Sequence, residues 1–231
     1  SQNVIDACLH ENVKIAVAVG TDKAVSPLNT YGATKLLMEK LFVSANNYIN
    51  TEKHRTKFVA VRYGNVLGSS GSVIPRFIDL IKKNKPITIT DSDMTRFTIT
   101  MDEALEFILN ATIFGKGSEI FIPKLKSYEM STLIESLNEL CGEIKQEFVG
   151  IRPGEKFHET LINHDEILYA WQVNDMYMLV NPHYQLFNDQ DILENYPGIE
   201  KITEMKSYSS DTTEKITKQE LKEKILELGL I

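Results

Sequence analysis

Lys14-Ile15-Ala16-Val17-Ala18-Val19-Gly20-Thr21-Asp22-Lys23 runs straight on through Ala24-Val25-Ser26-Pro27-Leu28-Asn29-Thr30 into Tyr31-Gly32-Ala33-Thr34-Lys35. The opening run is short, apolar and rich in Val and Ile, as in a strand buried on both faces of a parallel sheet. Pro27 and Asn29 mark a loop. Beyond it Leu37, Leu41 and Ala45 recur at four-residue spacing, which predicts a helix from about Tyr31 to Asn47. Phe58-Val59-Ala60-Val61, within Lys57–Tyr63, predicts a second buried strand. Strand, helix, strand in this order is a βαβ unit and points to an α/β fold.

Outward from this unit, Val4–Leu9, Ile74–Lys82, Met101–Phe114 and Met130–Leu140 are predicted helices, and Pro86–Thr90 and Glu119–Pro123 predicted strands. Gly64–Gly71 is rich in Gly and Ser and is expected to be loop. Thr217-Lys218-Gln219-Glu220 is a capping box opening an amphipathic helix through Leu228. There is no internal repeat and no low-complexity segment.

At 231 residues the chain is long enough for one large or two small domains, and 42% hydrophobic residues suffice for a packed core. The net charge of −7 argues against a nucleic-acid surface. An anionic ligand would need local Arg and Lys clusters against this acidic background. Cys8 and Cys141 lie far apart, without metal or redox spacing, and read as thiols of a reducing, cytoplasmic compartment. No apolar run approaches the ~20 residues of a membrane span, and no signal peptide is visible. His10, His54, His158, His164 and His183 show no metal-ligand spacing, so no metal is expected.

Tyr31 and Lys35 are four residues apart and share one helix face. A lysine ammonium beside a phenol favours the phenolate, which makes Tyr31 a candidate base for an alcohol under oxidation. The Tyr-x-x-x-Lys spacing alone also suits a packed Tyr one turn from a solvated Lys. Asp22 and Lys23 at the end of the preceding strand add an acid and an amine to the phenol. Lys82, Lys83 and Lys85 read as solvated surface.

Further motifs follow in order: Arg62-Tyr63-Gly64-Asn65-Val66-Leu67-Gly68-Ser69-Ser70-Gly71-Ser72-Val73-Ile74-Pro75, then Met94-Thr95-Arg96-Phe97, then Arg152-Pro153-Gly154-Glu155-Lys156. With Thr21-Asp22-Lys23 and Tyr31/Lys35, this set resembles the extended short-chain dehydrogenase/reductase family. Within it, the set is similar to the UDP-N-acetylglucosamine 4,6-dehydratases of the 5-inverting, pseudaminic-acid type, a branch of the polysaccharide biosynthesis proteins. The resemblance covers nearly the whole chain and implies a Rossmann-like doubly wound parallel sheet with a small C-terminal lobe for the UDP-sugar. On that expectation residues 1–67 belong to the Rossmann domain, and 68–231 mainly to the substrate lobe with segments returning. The family's glycine-rich loop G-x-x-G-x-x-G is absent from this sequence. The N-terminal half of the sheet is therefore expected to be missing, with an open strand edge that favours a homo-oligomer, and this chain alone is expected to be inactive, the dehydratase activity being that of the intact parent protein.

The resemblance also implies roles. Tyr31 takes the 4-hydroxyl proton as C4 is oxidised, Lys35 holds the nicotinamide ribose, and Thr21 hydrogen-bonds the 4-oxygen. Lys23 removes the C5 proton, and Asp22, starting protonated, gives a proton to the departing 6-hydroxyl. Tyr31, Lys35, Tyr63 and Asn65 would contact the cofactor, NADP with NAD as alternative. Asn65 and Arg96 would reach the nucleotide, Arg152 the phosphate, Glu155 the ribose hydroxyls, and Ser72 and Val73 the uracil through backbone groups. Arg62 and Gly64, flanking Asn65, favour a nucleotide role for it over loop capping. The family usually has Ser before Thr-Asp-Lys, and here Gly20 stands there. A UDP-sugar 4-epimerase is one alternative, since it would share Tyr31, Lys35 and Arg152 without needing Asp22 and Lys23. A non-catalytic Rossmann-like binding protein is another.

Overall fold

The computed structural model of the chain describes residues 1–47, 49, 53–180 and 189–231. Helix α1 (Gln2–His10) leads to strand β1 (Ile15–Val19), a 3-10 turn at Asp22–Ala24, helix α2 (Thr30–Ala45) and strand β2 (Lys57–Val61). Next come β3 (Asn65–Val66), α3 (Val73–Lys82), β4 (Ile87–Ile89), β5 (Thr95–Ile99), α4 (Met101–Phe114) and β6 (Glu119–Pro123). Then follow β7 (Ser127–Glu129), α5 (Met130–Cys141), β8 (Gln146–Phe148), β9 (Thr160–Ile162) and a 3-10 turn at Glu166–Tyr169. The chain ends through β10 (Ala170–Val173), β11 (Met176–Val180), α6 (Asp189–Asn195), β12 (Glu200–Lys201), β13 (Tyr208–Ser209) and α7 (Lys218–Glu227).

Two compact units share the chain. The first comprises Ser1–Tyr63, Leu105–Lys124 and Thr160–Tyr208, the second Gly64–Ala104, Leu125–Glu159 and Ser209–Ile231. In the first unit, six strands form one sheet in the order β1-β2-β6-β11-β10-β12. The pairs β1–β2 and β2–β6 are parallel, and β11, β10 and β12 join antiparallel. Val59 and Val61 of β2 pack with Phe107 and Ala111 of α4. Phe58 meets Phe42 of α2 edge-on at 5.8 Å. Successive strand residues point to opposite faces, so helices cover the sheet on both sides, as in a doubly wound fold. Among the described strands β1 has a partner on one side only, and Val19 is 40% exposed there.

The β10–β11 hairpin lies outside the sequence expectation. Its loop is Asn174-Asp175, with Asn174 at φ 50°, between the paired residues Val173 and Met176. A two-residue Asn-Asp turn between apolar runs is the signal that would have found it.

The second unit holds a small sheet, β3-β5-β7, and the parallel pair β4–β8. The expectation that Gly64–Gly71 is all loop is corrected, because Asn65 and Val66 pair with Thr98 and Ile99. Gly64 permits that pairing, since a Cβ there would lie 2.5 Å from the Cβ of Phe97. Leu221 and Ile225 of α7 pack on Leu133 and Leu137 of α5 in the core. The expected capping box is present, with Thr217 and Glu220 bonded reciprocally. Among the described residues no helix is long and apolar enough to cross a membrane, and no three metal-ligating side chains gather. His183 lies outside the described residues.

One buried charge cluster organises the first unit. Arg62 is fully buried, its guanidinium bonding Glu39 (Nε–Oε2 3.0 Å, Nη2–Oε1 2.5 Å) and Glu166 (both bonds 2.9 Å). Nη1 also donates to the Leu161 carbonyl at 2.8 Å. Burial alone would lower the Arg62 pKa; Glu39 and Glu166 outweigh it and push the value up. The expectation that Arg62 supports a nucleotide role for Asn65 is thereby corrected, since its donors are spent inside the protein.

Two outcomes follow from these contacts. Arg62→Met strips Glu39 and Glu166 of their counter-charge and should cost about 3–5 kcal/mol of stability, read by urea denaturation. A loss under 1 kcal/mol would mean that the carboxylates rearrange freely. Glu220 is held down from 4.5 to about 2 by hydrogen bonds from Thr217 and Lys126. Its contribution to stability is therefore present above pH 4.5 and lost as pH falls toward 2. Amide protection in α7 should fall through that window, and Glu220→Gln should reduce the pH dependence there, the remainder resting on Glu139, which Lys218 and Lys222 of α7 also hold down at about 2.

Candidate active site

β1 delivers the chain to Gly20, whose N–H bonds the Val61 carbonyl at 2.7 Å. A Cβ on Gly20 would sit 2.7 Å from that same oxygen, so the close approach itself selects glycine. Thr21 is extended (φ −159°, ψ 154°) and caps the 3-10 turn through its side chain. Its hydroxyl donates to Asp22 Oδ1 at 2.9 Å. Asp22 is fully buried, and its N–H bonds the Tyr63 carbonyl at 3.1 Å. Lys23 Nζ donates to the same Asp22 Oδ1 at 2.9 Å, with 35% of the lysine side chain exposed. The acid is thus sealed and the amine half-open.

α2 begins just beyond. Asn29 caps it, its side chain accepting from Gly32 N at 2.9 Å. Tyr31 is 54% exposed, leaving its phenol open to a ligand. Lys35 Nζ donates to the Val19 carbonyl at 3.3 Å, which ties it to the end of β1. Tyr63 packs edge-on against Phe107 at 6.2 Å. Burial pushes the Tyr63 phenol up. The first unit therefore gathers Thr21, Asp22 and Lys23 in one turn, with Tyr31 and Lys35 on the helix that follows.

The second unit holds the remaining residues. Asn65 lies in β3 opposite Thr98 of β5. Arg96, on β5, is buried and donates to the carbonyls of Thr95 (2.8 Å) and Phe157 (3.0 Å). Its Nη2 stands 3.6 Å from Glu155 Oε1. Arg152 is exposed, and its carbonyl accepts from Glu155 N at 3.1 Å in a turn with Gly154 at φ 80°. Ser72 is the N-cap residue of α3 and makes no side-chain cap bond, while Val73 opens the helix. His158 Nδ1 lies 2.8 Å from Thr95 Oγ1, which meets Ser210 Oγ at 2.6 Å, a buried tie rather than an open site.

Sequence reasoning missed Glu39 and Gly32. Glu39 follows Lys35 by four residues, as Lys35 follows Tyr31, so the three recur along one face of α2. That spacing was the available signal for Glu39. Gly32, inside the Tyr-x-x-x-Lys motif, carried none.

The profile of the family described as "Polysaccharide biosynthesis protein" matches residues 1–181. An inverting UDP-N-acetylglucosamine 4,6-dehydratase of Campylobacter jejuni is 41% identical over 215 residues, covering 91% of this chain and 63% of that protein. This chain thus spans less than two thirds of that relative. A UDP-glucose 4-epimerase of Rickettsia felis is 33% identical over 232 residues, covering 100% of this chain and 67% of its own length. The crystal structure of Pen from Bacillus thuringiensis superposes with a TM-score of 0.83 at 38% identity, covering 98% of this chain and 66% of Pen. The chain belongs to the polysaccharide biosynthesis protein family, on the Rossmann-like fold of its dehydratases and epimerases.

Proposed function

We propose that the protein is a nucleotide-sugar 4,6-dehydratase that converts UDP-N-acetylglucosamine to a 4-keto-6-deoxy sugar with inversion at C5, for surface glycan biosynthesis. The observation that carries this reading is the Lys23–Asp22 pair, 2.9 Å apart in the turn before Tyr31. An epimerisation at C4 needs one proton-transfer group. Loss of water needs three transfers, and this chain supplies a phenol, an amine and a carboxyl for them.

Tyr31 takes the proton of the 4-hydroxyl, and Thr21, rotating its hydroxyl away from Asp22 Oδ1, donates a hydrogen bond to the 4-oxygen. The ketone then acidifies the C5 hydrogen. Lys23, as free amine, removes it. Asp22, as carboxylic acid, protonates the 6-oxygen as it leaves as water. These protonation states are reached from an ammonium–carboxylate pair by moving one proton along the Nζ–Oδ1 hydrogen bond, so the turn loads base and acid together. The exposed Tyr31 phenol and the Lys35 ammonium suit the ribose and carboxamide end of NADP or NAD. When bound, that cofactor supplies the acceptance and return of hydride. In the second unit Arg152 binds the diphosphate in bidentate fashion, and Glu155 accepts from the ribose hydroxyls. Asn65 adds an amide to the diphosphate, and Ser72 and Val73 offer backbone groups to the uracil. Arg96 reaches the nucleotide, and its ties to Glu155 and to the Phe157 carbonyl order the segment that carries Arg152 and Glu155.

The Rickettsia relatives favour a second reading, a UDP-sugar 4-epimerase. Incubation of the intact parent protein with UDP-N-acetylglucosamine in deuterated water, followed by NMR, separates the two. A 4-keto-6-deoxy product with deuterium at an inverted C5 is expected. A 4-epimer with no loss of water would overturn the proposal. Single variants then divide the steps. Tyr31→Phe should slow turnover by ~10²–10⁴-fold with cofactor binding retained. Lys23→Ala should preserve transient cofactor reduction while C5 exchange with solvent collapses. Equal loss of both in Lys23→Ala would place Lys23 in binding or folding instead.

A further inference from the structure

We propose that Gly32 is a spacing residue that sets the approach of the Tyr31/Lys35 helix to the Asp22–Lys23 turn. A Cβ at position 32 would fall 2.3 Å from the Lys23 carbonyl oxygen and 2.9 Å from Pro27 Cβ. Neither atom is the tip of a flexible side chain. One is backbone of the 3-10 turn, and the other belongs to a ring in the loop between turn and helix. Gly32 is buried, and its N–H is already fixed by Asn29 Oδ1 at 2.9 Å. It is not among the residues at positive φ, so the glycine is there for room and not for an unusual backbone. In an ordinary helical position alanine is the better residue, and here the packing forbids it. Any side chain at 32 drives α2 and the turn apart, and it does so between Tyr31 on one side and Lys23 on the other.

The consequence is specific, and it rests on the dehydratase reading. Tyr31 and Lys35 travel with α2, whereas Asp22 and Lys23 travel with the turn. Separation costs C4 oxidation only the Thr21 hydrogen bond to the 4-oxygen, but takes the amine and carboxyl out of line with C5 and C6. A misplacement of about 1 Å costs on the order of 10²-fold in rate. Gly32→Ala is therefore expected to reduce its cofactor and stall, with C5 exchange in deuterated water down about 10²-fold and the KM for the UDP-sugar near that of the unaltered protein. A group that only stabilises the fold would lower both steps together.

The test is the Gly32→Ala protein with three readouts. Its Tm should fall by roughly 3–10 °C, the scale of an overpacked core, although alanine in an unstrained helix would raise it. Its crystal structure should show the Asp22–Ala24 turn displaced from α2. Its kinetics should show the stalled, reduced-cofactor state. If Gly32→Ala does not fold, Pro27→Gly/Gly32→Ala loosens the linking loop so that the helix can back away. That double variant should fold and still fail at C5. A raised Tm with the turn undisplaced would overturn the proposal, as would full C5 exchange in either variant. These variants are made in the intact parent protein, and if its unaltered form shows no dehydratase activity, the functional reading falls. Melting temperature and crystal structure then decide the spacing role alone.

Discussion

The guanidinium of Arg62 is the constraint on which the first unit depends. It sits one residue beyond β2, fully buried, with every donor used by Glu39, Glu166 and the Leu161 carbonyl. Its neighbours on either side do related work through their backbones. The Val61 carbonyl accepts from Gly20 N, and the Tyr63 carbonyl accepts from Asp22 N. Three consecutive residues at the end of one strand thus hold both halves of the candidate site. Val61 and Tyr63 fix the Thr-Asp-Lys turn, and Arg62 fixes α2 through Glu39. A buried ion pair is weak grounds for claiming stability, since its desolvation can exceed its Coulomb attraction. Its worth here is directional, because the planar fork of arginine accepts a carboxylate in few orientations. With Glu39 clamped, the rotation of α2 is set, and Tyr31 and Lys35 point accordingly.

Much of this was legible in the sequence, for identifiable reasons. Val and Ile runs bounded by Gly and Pro gave β1, β2 and β6, because buried parallel strands leave a continuous apolar signature. The capping box gave the start of α7. The Thr-Asp-Lys and Tyr-x-x-x-Lys motifs were legible because their chemistry is local, with all five residues lying between positions 21 and 35. What escaped was long-range. Glu166 lies far along the chain from Arg62, and no local pattern announces that one guanidinium will hold it together with Glu39. The β10–β11 hairpin was hidden by its short strands. Gly32 was hidden because a glycine needed for room looks like any other until its neighbours are in place.

Two glycines near the site share one cause. Gly20 meets the Val61 carbonyl and Gly32 the Lys23 carbonyl, each at a distance no side chain allows. The family's usual Ser at position 20 is absent, and a Cβ there would also come within 3.4 Å of Glu39 Oε2. Strand end, turn and helix are thus drawn together around the buried carboxylates. The tightness at position 20 and the charge cluster of Arg62 are one packing solution.

On the dehydratase reading, the unequal exposure of the acid and the amine has a mechanistic consequence. Asp22 is sealed from solvent, whereas Lys23 keeps about a third of its side chain open. Buried, Asp22 gains and loses protons by way of its hydrogen-bonded neighbours, and Lys23 is the one in contact with water. A turnover that takes a proton from C5 onto the amine and gives one from the carboxyl to the 6-oxygen leaves an ammonium and a carboxylate. Those are the partners of an ion pair 2.9 Å apart, and one proton shift along their hydrogen bond restores the reactive state. The pair thus resets internally once water is lost, whereas the proton that completes C5 is drawn from solvent. The identity of residue 23 as Lys, next to a buried Asp, therefore bears on how the turn resets as well as on which face of C5 it attacks.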